Sequence, residues 1–186
     1  MSRTEIATLE RLLDQTFETG GESSLLANLS TVRDEDWLAV PDGGVRSIAD
    51  VLEHVAWAKW MYNDYAFKSA SLVGDAPPIW VEQPRPRDEL MEWLHEGHRR
   101  FRASVKALGD DSELERARLT NWGELKPTRW IITAIAHHDT FHAGEINHIR
   151  ALLQGDDSWA YEGPAPPFSS SGEPPAGSAA ATASCP

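Results

Sequence analysis

The chain is poor in cysteine. Cys185 is the only one in 186 residues, so no intrachain disulfide can staple the fold. No apolar run approaches the roughly 20 residues that span a bilayer. The opening stretch, MSRTEIATLERLLDQ, is polar and has no apolar signal-peptide core. Together these features predict a cytoplasmic protein with no membrane partner. Basic residues are also in deficit, 17 Lys and Arg against 29 Asp and Glu, for a net charge of -12. That balance argues against nucleic acid as a partner and against binding to an anionic membrane surface. The short basic stretches RPRDE and ERARL read as solvated helix ends. Strand-type alternation of β-branched residues is missing, as are a glycine-rich phosphate loop and a nucleophile elbow around any Ser, Thr or Cys.

What the chain does have is helical periodicity. Hydrophobic residues make up 41% of the sequence, enough for one domain with a proper core. Ile6, Leu9, Leu13 and Phe17 recur at three-to-four spacing and predict a helix over residues 4–18, stopped by Gly20 and Gly21. A shorter helix follows from Ser23. VPDGG is a turn, and SIAD resembles a capping box that starts a second long helix at Ser47, running to Ala70. Residues 73–86 hold four prolines and form a connection. A third helix covers residues 87–108, and a fourth runs from Pro127 to Gln154 with Gly155 as its stop. Four long amphipathic helices imply an all-α, up-down four-helix bundle over residues 1–160. Residues 161–186 are rich in Pro, Gly, Ser and Ala and predict a disordered tail.

The histidines carry the functional signal. At about 100° per residue, His142 falls about 40° from His138 and Glu145 about 20° on its other side, along the stripe of Ile131, Ile135 and Ile149. On the second helix, His54 shares a stripe with Val51, Ala58, Met61 and Tyr65, so it too is expected to face the core. Imidazoles at i and i+4 converge on one ion, and a third from a facing helix completes a metal site with open positions. His54, His138 and His142 are therefore the expected metal ligands, with Glu145 as a catalytic acid/base or extra ligand. The segment HDTFH lacks the glutamate of a metalloprotease helix, and Asp139 falls about 100° away, off the stripe. His137 and His148 lie on the flank. His95 and His98 read as solvated or structural. Trp57, Trp93 and Trp130 read as packing. Trp80 and Trp122, in loops, are either packing or the mouth of a pocket.

Three stretches resemble the DinB-like family, also called DinB/YfiT: LLANLSTVRDEDWLAVPDGGVRSI, SIADVLEHVAWAKWMY and HDTFHAGEINHIRALL. The last is similar to the family's His-x-x-x-His-x-Gly-Gln-Ile-x-x-x-Arg segment, with Glu145 where glutamine is frequent. The likeness covers about residues 5 to 155. It implies a DinB-type bundle, a divalent metal ion (zinc, nickel or iron) on His54, His138 and His142, and a homodimer. It also implies chemistry on a small-molecule substrate. The best understood relatives are S-transferases using bacillithiol or mycothiol, and a mycothiol-dependent isomerase. A metal-dependent transferase activating a low-molecular-weight thiol is the first expectation. A metal-dependent hydrolase and a non-catalytic binding protein are the alternatives.

Overall fold

The structure, a computed structural model, describes residues 2–71 and 86–157. The described elements are five α-helices and one two-stranded hairpin, with short 3-10 and π segments between them. Helix α1 spans Thr4–Asp14 and continues as a π-helical turn, Gln15–Thr19. Helix α2 is short, Leu25–Ser30. Helix α3 spans Ile48–Phe67 and α4 spans Arg87–Lys106. Strands β1 (Ala117–Leu119) and β2 (Leu125–Pro127) pair antiparallel, Arg118 opposite Lys126. Helix α5, Thr128–Gln154, is the longest. Residues 73–85 of the expected connection, Trp80 among them, and the tail at 161–186 lie outside the described residues.

Local chemistry accounts for the boundaries. The Ser47 hydroxyl accepts from the Asp50 backbone N–H at 3.2 Å, and the Asp50 carboxylate accepts from the Ser47 backbone N–H at 2.8 Å. This is a closed capping box, which fixes the start of α3. Helix α3 ends at Phe67, three residues short of the expected Ala70, where Ala70 turns to a positive φ of 56°. Gly155, with φ 74°, closes α5 in the left-handed conformation that favours glycine. The hairpin is a correction to an all-α expectation. Its strands have three residues each, too few for alternation to register. The turn carries the pattern instead: the Thr120 hydroxyl bonds both the carbonyl and the N–H of Glu124, and Gly123 takes a φ of 86°.

Helix α3 packs against both α4 and α5, and α1 does the same from another side. The approach of α4 to α3 depends on Gly97, where a Cβ would stand 2.8 Å from the Trp60 ring. The buried apolar residues fall into two clusters. One holds Leu52 and Val55 of α3, Leu90 and Leu94 of α4, and Ala143 and Ile146 of α5. The other holds Ala66 of α3, Phe101 and Val105 of α4, and Ile131 and Ile135 of α5. Between them along these three helices come Lys59, His98 and Asp139, all buried. The core is therefore two apolar volumes separated by a polar layer.

That layer overturns the expected position of Asp139. Relative to His138, the buried residues of α5 run from Ile131 and Ile149 at about 20° to Ala136 at about 160°. Asp139, at about 100°, is at the middle of this arc and has no exposed surface. Helix α5 meets α1, α2 and α3, so its buried arc is far wider than a stripe drawn for one neighbour. Lys59 has the equivalent place on α3. It bonds Asp139 at 2.6 Å and lies 3.4 Å from His98 Nδ1.

Candidate metal centre

The same geometry relocates the histidines. His54 is exposed, His138 is half-buried, and only His142 is buried, at 4% exposure. The expectation that His54 faces the core fails, because the buried arc of α3 is centred near Lys59 rather than on His54. The three imidazoles instead gather at the edge of the core, beside a cleft lined by α3, the β1–β2 turn and His138. One ligand-capable atom from each lies within 4.8 Å of the other two. His54 Nε2 and His138 Nε2 are 3.1 Å apart. Two nitrogens bound tetrahedrally at 2.0–2.1 Å would stand about 3.3 Å apart, so this spacing needs little adjustment to bracket an ion. Without an ion the same contact is a single N–H···N hydrogen bond.

Two further observations fit the metal. His142 Nδ1 meets Glu145 Oε2 at 2.7 Å. A carboxylate accepts, so this bond puts the ring proton on Nδ1 and leaves the Nε2 lone pair free for a ligand bond. Glu145 Oε1 in turn accepts from Arg46 at 2.6 Å. A carboxylate behind a ligating histidine is the usual way a metal site fixes tautomer and ring orientation. Second, burial depresses the basicity of two of the rings. His138 falls to about 3, chiefly through burial and then through its His142 and His54 neighbours. His54 is lowered by burial first, then by its His142 and Arg46 neighbours. Neutral imidazole is the ligating form. A set of three imidazole ligands suits zinc, nickel or ferrous iron alike.

Glu145, expected as an acid/base or extra ligand, thus has both oxygens engaged, one on His142 and one on Arg46. His95, His137 and His148 are exposed and stand apart from the cluster. His98 is buried and stacks on Phe17 of the π-helical turn, ring centroids 3.7 Å apart. Burial and the Lys59 charge drive His98 down to about 2, so it is a neutral structural residue. Trp93 packs inside as expected, but Trp130 is 40% exposed. It sits on the first turn of α5, outside the buried arc, edge-on to Trp122. Trp122 lines the cleft.

Sequence reasoning missed Lys59, Asp139 and Arg46. Lys59 and Asp139 each lie amid apolar neighbours and have opposite charges, which is the signal that could have paired them. Burial lowers Lys59 and raises Asp139, and each partner's charge opposes that drift. Arg46 comes one residue before the Ser47 cap, and nothing in its local pattern points to Glu145.

The fold and site define a predominantly helical protein with three imidazoles converging at the edge of a cleft. The chain belongs to the DinB superfamily, whose pattern matches residues 19–146. A crystal structure of a conserved protein from Enterococcus faecalis is similar over 84% of this chain and 99% of that one, with a TM-score of 0.57 and 13% identity. At that identity the likeness shows the fold alone. No curated protein matches the chain.

Proposed function

We propose that this chain is a metal-dependent transferase built on a DinB-type up-down four-helix bundle over residues 1–160, with the ion on His54, His138 and His142. The observation that carries the reading is the convergence of three imidazole nitrogens beside an open cleft of about 720 Å³. A divalent ion held by these three imidazoles would supply Lewis acidity, the chemistry that lowers the pKa of a thiol. The chain's own residues do the rest. Glu145 holds His142 in its ligating tautomer, and Arg46 holds Glu145. Trp57, Trp122 and Tyr62 line the cleft wall beside the reacting end. A transferase fits better than a hydrolase because Glu145, the carboxylate bonded to the histidine cluster, is already engaged twice and is poorly placed as a general base. A homodimer, a cytoplasmic location and a small-molecule substrate belong to the same proposal. No helix among the described residues is long and apolar enough to cross a membrane.

The test is turnover of a thiol with an electrophile by protein loaded with zinc, nickel or ferrous iron, across several low-molecular-weight thiols. The expected result is metal-dependent product that the His142→Ala variant does not form. Equal rates from the two proteins with every thiol and metal would remove the transferase reading.

A further inference from the structure

Exposed apolar surface is not spread evenly over this molecule. Three of the large apolar side chains left open to water, Trp130, Phe141 and Leu152, lie on α5. Trp122 and Leu125 lie in the hairpin that leads into α5. The others, Val45 among them, lie in the segment over residues 38–45. Asp36 accepts from Gln154 at 2.6 Å and Arg46 donates to Glu145 at 2.6 Å, so both ends of that segment are tied to α5. Among the described residues, no exposed large apolar side chain lies on α1, α3 or α4. A continuous apolar band of this kind marks an interaction surface.

The band follows one side of α5. With His138 at 0°, Trp130, His137, Phe141, Gly144, His148 and Leu152 fall between about -40° and -120°, opposite the buried arc. Of the exposed residues of α5, only Arg129 has a formal charge, and it is bonded to Glu5 and Glu115. A chain of net charge -12 repels its own copies, so a strip without acidic residues is where two copies approach at least cost. Gly144 adds a second, independent observation. A glycine inside a helix costs about 1 kcal/mol relative to alanine. At Gly97 the Trp60 ring fills the place of the missing Cβ. At Gly144 nothing beyond the helix's own turn comes within 4 Å of that place. Packing within the chain gives no reason for a glycine there, whereas the close approach of a second helix does.

The strip is also its own complement. Trp130 and Leu152 stand eleven residues to either side of Phe141, about three turns each way. An antiparallel pairing of α5 with itself about Phe141 sets Trp130 against the partner's Leu152, and the reverse, and brings the partner's Phe141 beside Gly144. One helix is too narrow for the roughly 800 Å² per partner that a stable dimer buries. At each end of the pair, the hairpin of one copy meets the 38–45 segment of the other and widens the contact. We infer that two copies of this chain pair through this face, α5 antiparallel to α5 about a two-fold axis at Phe141. The arrangement gives the proposed homodimer a face and an axis, and rests on that reading only for the existence of the pair. Val45 and Trp122 also line the cleft, so the partner copy stands beside each histidine centre.

Analytical ultracentrifugation of the zinc-loaded full chain tests the face. Wild type is expected at twice the 20.6 kDa of one chain. Phe141→Glu and Phe141→Lys each set like charges together on the axis and should weaken self-association by at least about thirtyfold. An equimolar mixture of these two variants should pair again, because opposite charges then meet across the axis. Leu152→Glu should weaken pairing, and Ala103→Glu, at an exposed position of α4, should leave it unchanged. Phe141 is 69% exposed, so circular dichroism spectra matching wild type are expected for its variants. Gly144→Gln puts a better helix former at an exposed position. It should weaken pairing with no loss of helicity, and it decides the matter if a charge at position 141 disturbs the fold. Phe141 variants that pair as tightly as wild type, or that stay apart when mixed, would overturn the face and leave the homodimer standing. A monomeric wild type would overturn both. Zinc content measured on the same samples reports on the metal centre separately.

Discussion

At the scale of single residues, the proposed centre would use Glu145 as a support for His142 rather than as a reacting group. Its bond to His142 Nδ1 sets which imidazole nitrogen is free. Glu145→Ala should therefore weaken zinc affinity by about 10- to 100-fold, read by competition with a chromophoric chelator. Glu145→Gln should lose less, because an amide oxygen still accepts from Nδ1. Equal losses in the two variants would mean that charge, and not ring orientation, is what Glu145 supplies. His98 makes a second residue-level prediction. Its basicity is depressed from 6.5 to about 2 by burial first and Lys59 second. The unfolded chain therefore binds a proton at His98 between those limits that the folded chain refuses. The resulting stability is fully present above about pH 6.5 and is lost as the pH falls toward 2, with a slope of up to about 1.4 kcal/mol per pH unit. Urea unfolding at pH 6 and pH 4 should show that slope reduced in His98→Gln. An unchanged slope would place the titration elsewhere.

At the scale of helices, the buried polar layer decides how α3, α4 and α5 sit together. Lys59 and Asp139 are both without exposed surface, and their 2.6 Å contact ties the two helices that carry the histidines. Removing one partner leaves a buried charge uncompensated, so Asp139→Ala or Lys59→Ala should each cost about 3–5 kcal/mol in urea unfolding. The double variant Lys59→Met with Asp139→Leu should recover most of that loss. A double variant as unstable as the singles would show that packing alone explains the cost. Helix existence was legible in the sequence to a large degree. The SIAD capping box, the Gly155 stop and the three-to-four spacing in α1 are all realised. Helix orientation was legible only in part. A stripe drawn through Ile131, Ile135 and Ile149 marks one margin of a buried arc that also takes in Ile132, Ala136, Ala143 and Ile146. Read as a narrow stripe, it put the histidines at the centre of the core and Asp139 outside. The wider arc reverses His138 and Asp139 and keeps His142 just inside its margin. That reversal is physically sensible, since an ion that meets substrate belongs at the margin of a core and an unreactive ion pair can be sealed within it. The hairpin and the Arg46–Glu145 contact were not legible. Both depend on residues brought together across the fold, with no periodic signal of their own.

At the scale of the whole molecule, the histidine cluster joins α3 to α5 at one edge of the cleft, so a bound ion would act as a clip between them. Ligand binding to the folded state alone stabilises by mass action, about 2.7 kcal/mol at a hundredfold excess over Kd. Zinc should therefore raise the melting temperature of the wild-type chain and leave a variant lacking all three imidazoles unmoved. The most direct measurement is elemental analysis of the protein as purified, beside the His54→Ala, His138→Ala, His142→Ala triple variant. The account predicts close to one equivalent of zinc, nickel or iron per wild-type chain and none in the triple variant. A metal-free wild-type protein that also fails to take up these ions, or a triple variant that retains them, would contradict it.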